Sequence, residues 1–198
     1  DVIQEEAEQT LRSMAGLSNE EMFSPIIAST KRRAIWLGIN LLTAFLGAWV
    51  IGRFEDTIQQ LVALAILMPV VAGMGGIAGS QTLTIAIRGI ALGHIAKTNI
   101  KPLLIKELSI GILNGIFWSS VVAIIVIIWF GQFSLGIIIG ASMMINLIIA
   151  ALAGATIPII LKHYGIDPAI AGGVILTTVT DVVGFITFLG LATIFLIG

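Results

Sequence analysis

The 198-residue chain contains no cysteine, which removes disulfides, thiolate metal sites and cysteine nucleophiles from consideration. Charge is scarce as well: Asp, Glu, Lys and Arg together make up 11% of the residues and leave a formal net charge of -1. Such a balance offers no basic surface to a nucleic acid. The two histidines, His94 and His163, are far apart in the chain. Chemistry is therefore left to carboxylates, hydroxyls, amides and the backbone. What fills the sequence instead is apolar: 58% of it is hydrophobic, the mean hydropathy is +1.09, and several apolar runs exceed the roughly 20 residues that a bilayer crossing requires. The composition predicts an all-α, polytopic membrane protein.

The first 30 residues differ from the rest. They carry six acids, Asp1, Glu5, Glu6, Glu8, Glu20 and Glu21, and one base, Arg12. Ile3, Ala7, Leu11 and Met14 recur at helical spacing, which predicts a cytoplasmic amphipathic helix that Gly16 stops. Ser18 with Glu21 three residues on forms a capping box for a second short helix, which Pro25 restarts or bends. No signal-peptide pattern is visible, and a chain that opens on Asp1 reads as part of a longer protein whose soluble N-terminal portion lies upstream. The expected division is thus 1–30, a cytoplasmic helical segment, and 31–198, a membrane domain.

After the basic collar Lys31-Arg32-Arg33, apolar spans are expected at about 34–52, 57–91, 103–130, 135–161 and 169–197, the second broken in its middle by Pro69 and glycines. Lys31, Arg32, Arg33, Arg88, Lys97, Lys101, Lys106 and Lys162 fall on one side of this arrangement and Arg53 alone on the other. The positive-inside rule then places the N-terminus in the cytoplasm and, with five crossings, the C-terminus outside. Glycine pairs such as Gly111 with Gly115 and Gly136 with Gly140 have the small-residue spacing of close helix packing in lipid.

Two segments carry chemistry. In the stretch MPVVAGMGGIAGSQTLTIAIRG, residues 68–89, Pro69 removes a backbone donor and Gly73, Gly75, Gly76 and Gly79 remove side chains, so the helix is expected to kink or open. Irregular backbone survives in a bilayer only where it is buried in protein or lines a watery cavity, so a packing kink and a pore wall of carbonyl oxygens both fit. In the stretch AGGVILTTVTDVVG, residues 171–184, Asp181 is the single ionisable group. It lies about 12 residues past Ala169, roughly 18 Å at the helical rise, near the middle of the hydrocarbon layer. A carboxylate there costs on the order of 3 kcal/mol on insertion scales and marks a functional site by default.

Gly173, Thr177, Asp181 and Gly184 share one helical face, with Thr180 beside them. No basic residue stands at matching depth, Arg88 being nearer the cytoplasmic end of its span. An unpaired carboxylate must be protonated, hydrated or holding a cation. Oxygen-only ligands favour a hard cation, and Mg²⁺ fits because it gives up water reluctantly and can bind as a hydrated ion. One acid per chain makes half a divalent site, which a twofold axis near Asp181 would complete.

At these two segments the sequence resembles the membrane domain of the MgtE family of Mg²⁺ channels and transporters. PVVAGMGG, AGSQTLT and RG in the second span and TTVTDVVGF in the fifth carry the resemblance, and the five-span layout extends it over nearly the whole chain. It implies a homodimer in the cell membrane, with a central pore lined by spans two and five and Mg²⁺ bound at Asp181. This nominates Ala72, Gly73, Gly75, Gly76 and Gly79 on span two, and Gly173, Thr177, Thr180 and Gly184 around Asp181. Regulatory N and CBS domains would precede residue 1, and Glu5, Glu6 and Glu8 would belong to the end of a connecting plug helix that gates the pore. Read by their own spacing, the same three glutamates equally fit a solvated helix face. One departure stands out: the family usually has Asn in a GGNxG motif where this chain has Ile77 in GGIAG. Asn114 and Asn146 offer amides on spans three and four, but interhelical hydrogen bonding is the better account of them.

Two other functions compete with cation transport, beside a non-transporting assembly subunit. An intramembrane protease needs paired acids or a Ser–His pair at one depth, whereas Glu55, Asp56, Glu107 and Asp167 fall at or beyond span ends and both histidines fall in loops, so no enzyme is expected. A proton-coupled carrier in which Asp181 titrates is the stronger rival, but relays need successive sites and the sequence offers one mid-span acid.

Overall fold

The computed structural model describes Ser13, residues 25–95 and residues 99–197. The acidic N-terminal helix, the Ser18 and Glu21 capping box, Glu5, Glu6 and Glu8, and Lys97 all lie outside the described residues. Within them, helix α1 spans Ile26–Gly52, a short α2 spans Glu55–Gln60, and α3 (Ala63–Ala91), α4 (Ile100–Phe130), α5 (Phe133–His163) and α6 (Pro168–Ala192) follow. The last continues into a π-helical turn, Thr193–Ile197. All but α2 are long and apolar enough to cross a membrane, and no strand occurs among the described residues.

The helix ends follow local chemistry. Asp167 caps α6 by accepting the Ala169 N–H at 2.9 Å, with Pro168 at the first helical position where its missing donor costs nothing. Gly131 stops α4 in the left-handed conformation (φ 66°) that a side chain would disfavour. Only Gly131 and Gln132 separate α4 from α5, so the two helices are forced antiparallel.

Helix α5 is the central post. In its most apolar stretch 61% of residues are buried, against 11% in α1, which leans on α6 at the edge. The expected glycine pairs make the α4–α5 contact. A Cβ at Gly111 would sit 2.9 Å from Ala151 Cβ, and one at Gly140 would sit 3.3 Å from the Ser119 carbonyl, so each helix backbone lies in the groove of the other. Two apolar clusters form the interior. One gathers Leu64, Leu67, Val71, Leu135, Ile139 and Phe188 toward the α4–α5 turn. The other gathers Leu83, Ile87, Ile157, Leu161 and Leu176 toward the opposite end.

The break expected in span two falls elsewhere. Helix α3 runs unbroken from Ala63 to Ala91 through Pro69, Gly73, Gly75, Gly76 and Gly79. Pro69 stands in the second turn, where the lost N–H orphans a single carbonyl, that of Ala65. The glycines Gly75 and Gly79 are taken up by neighbours packed against them, so the helix has no need to open. The chain instead breaks about two turns earlier, at Leu61 (φ -138°, ψ 88°), between α2 and α3.

Candidate functional site

Helices α3 and α6 pack antiparallel in one constant register, read from the contacts Val71 with Gly184, Gly79 with Leu176 and Leu83 with Gly172. The same register carries Asp181 to the level of Met74 and Thr177 to that of Ala78. Helix α5 runs parallel to α3 and lies against both, and Asp181 stands at mid-span of α6.

Asp181 is half-buried on α6, and no hydrogen bond or ion pair reaches its carboxylate among the described residues. One turn before it Thr177 is exposed, and beyond that Gly173 faces open space, with no atom within 4 Å of where its Cβ would be. Thr177 donates to the carbonyls of Gly173 and Val174, both at 3.1 Å, which settles its hydroxyl proton on its own helix and leaves its lone pairs outward. Thr180 and Gly184, nominated with these, turn into the bundle instead. Thr180 is fully buried and bonds back to Leu176, while Gly184 packs on Asn146 and Val71.

The span-two residues divide in the same way. Gly73 is exposed, and Ala72 and Gly76 are half-buried, with open space beside Gly73 and Gly76. Gly75 and Gly79 are buried, the first against the Asn146 amide and the second with its would-be Cβ 2.8 Å from Leu176 Cδ1. Ile77 belongs to the open face at 58% exposure. So the structure brings Gly173, Thr177 and Asp181 together on one open face of α6 and Gly73, Gly76 and Ile77 on one of α3, while Gly75, Gly79, Thr180 and Gly184 make the contacts between helices.

Two features escaped the sequence reading. Ser80, Gln81, Thr84 and Arg88 extend the exposed face of α3 as a polar strip, legible in SQTLTIAIR as spacings of three and four. Glu107 is the other. Expected at a span end, it is 2% exposed inside α4, where its Oε2 accepts from Thr82 Oγ1 at 2.9 Å. Its Oε1 has no hydrogen-bond partner, and Lys106 Nζ lies 3.7 Å away on an exposed side chain. The available signal was Glu107 standing four and eight residues before Gly111 and Gly115, on the buried stripe that Ser119 completes.

Among the described residues no three His, Cys, Asp or Glu side chains converge to hold a metal. Asp181 could serve a cation together with water, hydroxyl or backbone oxygens, or a second chain. An apolar hollow of about 340 Å³, bounded by Phe133, Ile137, Leu191 and Phe195, lies at the other end of α6 and has no charged group to contribute.

Five long apolar helices, one of them a buried post, define a polytopic all-α integral membrane protein, and among the described residues Asp181 is an unpaired carboxylate at mid-span. A family model described as MgtE, divalent cation transporter, matches residues 68–191, and the chain belongs to this family. It is 36% identical over 197 residues to the magnesium transporter MgtE of Bacillus subtilis, covering 99% of this chain and 44% of that protein. The magnesium transporters MgtE of Enterococcus faecalis and Thermus thermophilus are 29% and 28% identical, each over 99% of this chain and 43% and 44% of their own length. The chain therefore spans less than half the length of these curated relatives.

Proposed function

We propose that this chain is the membrane part of a Mg²⁺ transporter in which Asp181 binds the hydrated ion in a pore between two copies. The observation that carries the reading is Asp181 itself: a mid-span carboxylate without a protein partner, on an open face with Gly173 and Thr177. The cost of placing it there is offset by a cation or by water. A hydrated Mg²⁺ keeps its inner water shell and is held by hydrogen bonds from those waters to carboxylate, hydroxyl and carbonyl oxygens, which this face supplies. A second copy doubles the carboxylates without any further acid in the sequence.

Orientation follows the charge bias, with the N-terminus cytoplasmic and the C-terminus outside. The greater length of the relatives supports regulatory domains upstream, to which Glu5, Glu6 and Glu8 would connect as part of the gate.

Reconstitution of the full-length protein in liposomes, with Mg²⁺ entry driven by an inside-negative potential, tests the reading. Entry above that of empty vesicles supports it, and entry indistinguishable from them contradicts it. A second reading, a proton-coupled carrier, gains one observation here, because buried Glu107 is an additional intramembrane acid. Under that reading Mg²⁺ flux at fixed voltage follows an imposed pH gradient; in a passive channel it does not.

A further inference from the structure

Asn146 on α5 is fully buried at the junction of the two apolar clusters, in a band of small residues. Its Nδ2 donates to the Val71 carbonyl of α3 at 2.9 Å. Two glycines make room for its amide, Gly75 on α3 and Gly184 on α6, where a Cβ would stand 2.9 Å from Nδ2. A single side chain of the post thus touches both helices within about one turn of the level of Asp181. Asn146 Oδ1, buried as deeply, has no hydrogen-bond partner among the described residues.

That last fact bears on what the residue is for. A buried polar atom left unpaired costs on the order of 1–3 kcal/mol, so for packing alone an apolar side chain of similar size would serve better. An apolar side chain, however, can slide. The hydrogen bond to one particular carbonyl, with a glycine on each flank, fixes α3 against α5 along the axis, and Gly184 lets α6 pack closely on the same amide. Buried polar groups that specify register at a cost in stability follow this logic.

We infer that Asn146 is a positioning residue that holds the register of α3 and α6 and thereby sets where the Asp181 carboxylate stands relative to the open face of α3. The inference rests on the transport reading for its functional half only; the lock itself is a matter of packing.

Three variants of the full-length protein separate the possibilities: Gly75→Ala, Asn146→Ala, and the two combined. A methyl group at position 75 overlaps the Asn146 amide, so Gly75→Ala lowers the melting temperature in the native background and is tolerated once Asn146 is alanine. The combined variant then regains thermal stability while its half-saturating Mg²⁺ concentration stays raised by about 10-fold or more, the scale of lost support behind a metal-binding group. Simple packing would restore both together. The lock is overturned if Gly75→Ala destabilises equally in both backgrounds. The positioning role is overturned if folded Asn146→Ala protein keeps the native half-saturation. Absence of Mg²⁺ flux in the unmodified protein, with the stability coupling intact, overturns the transport reading and leaves the lock standing.

Discussion

Thr82 on α3 donates its hydroxyl proton to Glu107 Oε2 on α4 at 2.9 Å, and among the described residues this is the one hydrogen bond of a carboxyl group that is 2% exposed. Helices α3 and α4 otherwise touch little, being held apart by α5. The pair is therefore a polar strut across a gap between two spans. Replacing Thr82 by Val keeps the shape and removes the donor, leaving a buried carboxyl with no hydrogen-bond partner. We expect Thr82→Val to destabilise by about 1–3 kcal/mol, and Glu107→Gln by less, since an amide oxygen still accepts from Thr82. Thermal unfolding in detergent measures both.

The closest approach of a neighbouring backbone to any described glycine gives a second prediction. A Cβ at Gly154 on α5 would lie 2.5 Å from the Gly79 carbonyl and 2.9 Å from Thr82 Cβ, and a carbonyl cannot swing aside as a flexible side chain can. Gly154→Ala should push α3 off α5 and cost about 1–3 kcal/mol. Gly173→Ala offers the control: nothing lies within 4 Å, and alanine is the better helix former by about 1 kcal/mol, so stability should hold or rise. Equal melting temperatures for the two variants would contradict the packing described.

Legibility in the sequence followed the physics of each feature. Five spans could be counted because the bilayer demands long apolar runs, whatever the helices do to one another. The glycine pairs at 111 and 115 and at 136 and 140 were readable as packing for a similar reason, as their spacing alone brings them to one face. The break in span two was misplaced because glycine is ambiguous. Helix propensity and solvent would open Gly73 to Gly79 in water, but contacts from Asn146, Leu176 and Gly154 keep the helix closed, and those partners lie far away in the chain. Leu61, where the break does occur, is an ordinary leucine with no local signal. Asp181 stood out as the lone charge in its span, whereas Glu107, next to Lys106, looked like one end of a charged loop. Thr180 and Gly184 share a stripe with Asp181 by spacing, yet that stripe is wide enough to reach from the open face into the packed one.

Orientation can be read directly because the chain carries no cysteine of its own. Lys101 and Gln132 are exposed near opposite ends of α4. A membrane-impermeant maleimide applied to intact cells should label Gln132→Cys and leave Lys101→Cys unlabelled until the cells are opened. The reverse pattern would invert the topology.

Everything proposed about transport converges on the carboxylate of Asp181. The most direct measurement is Mg²⁺ flux through the reconstituted full-length protein, unmodified against Asp181→Ala and Asp181→Asn, with dimer assembly monitored on the same preparations. The account predicts that Asp181→Ala lowers flux by roughly 10-fold or more and Asp181→Asn by less, while assembly is unchanged. Native flux in the alanine variant would contradict it.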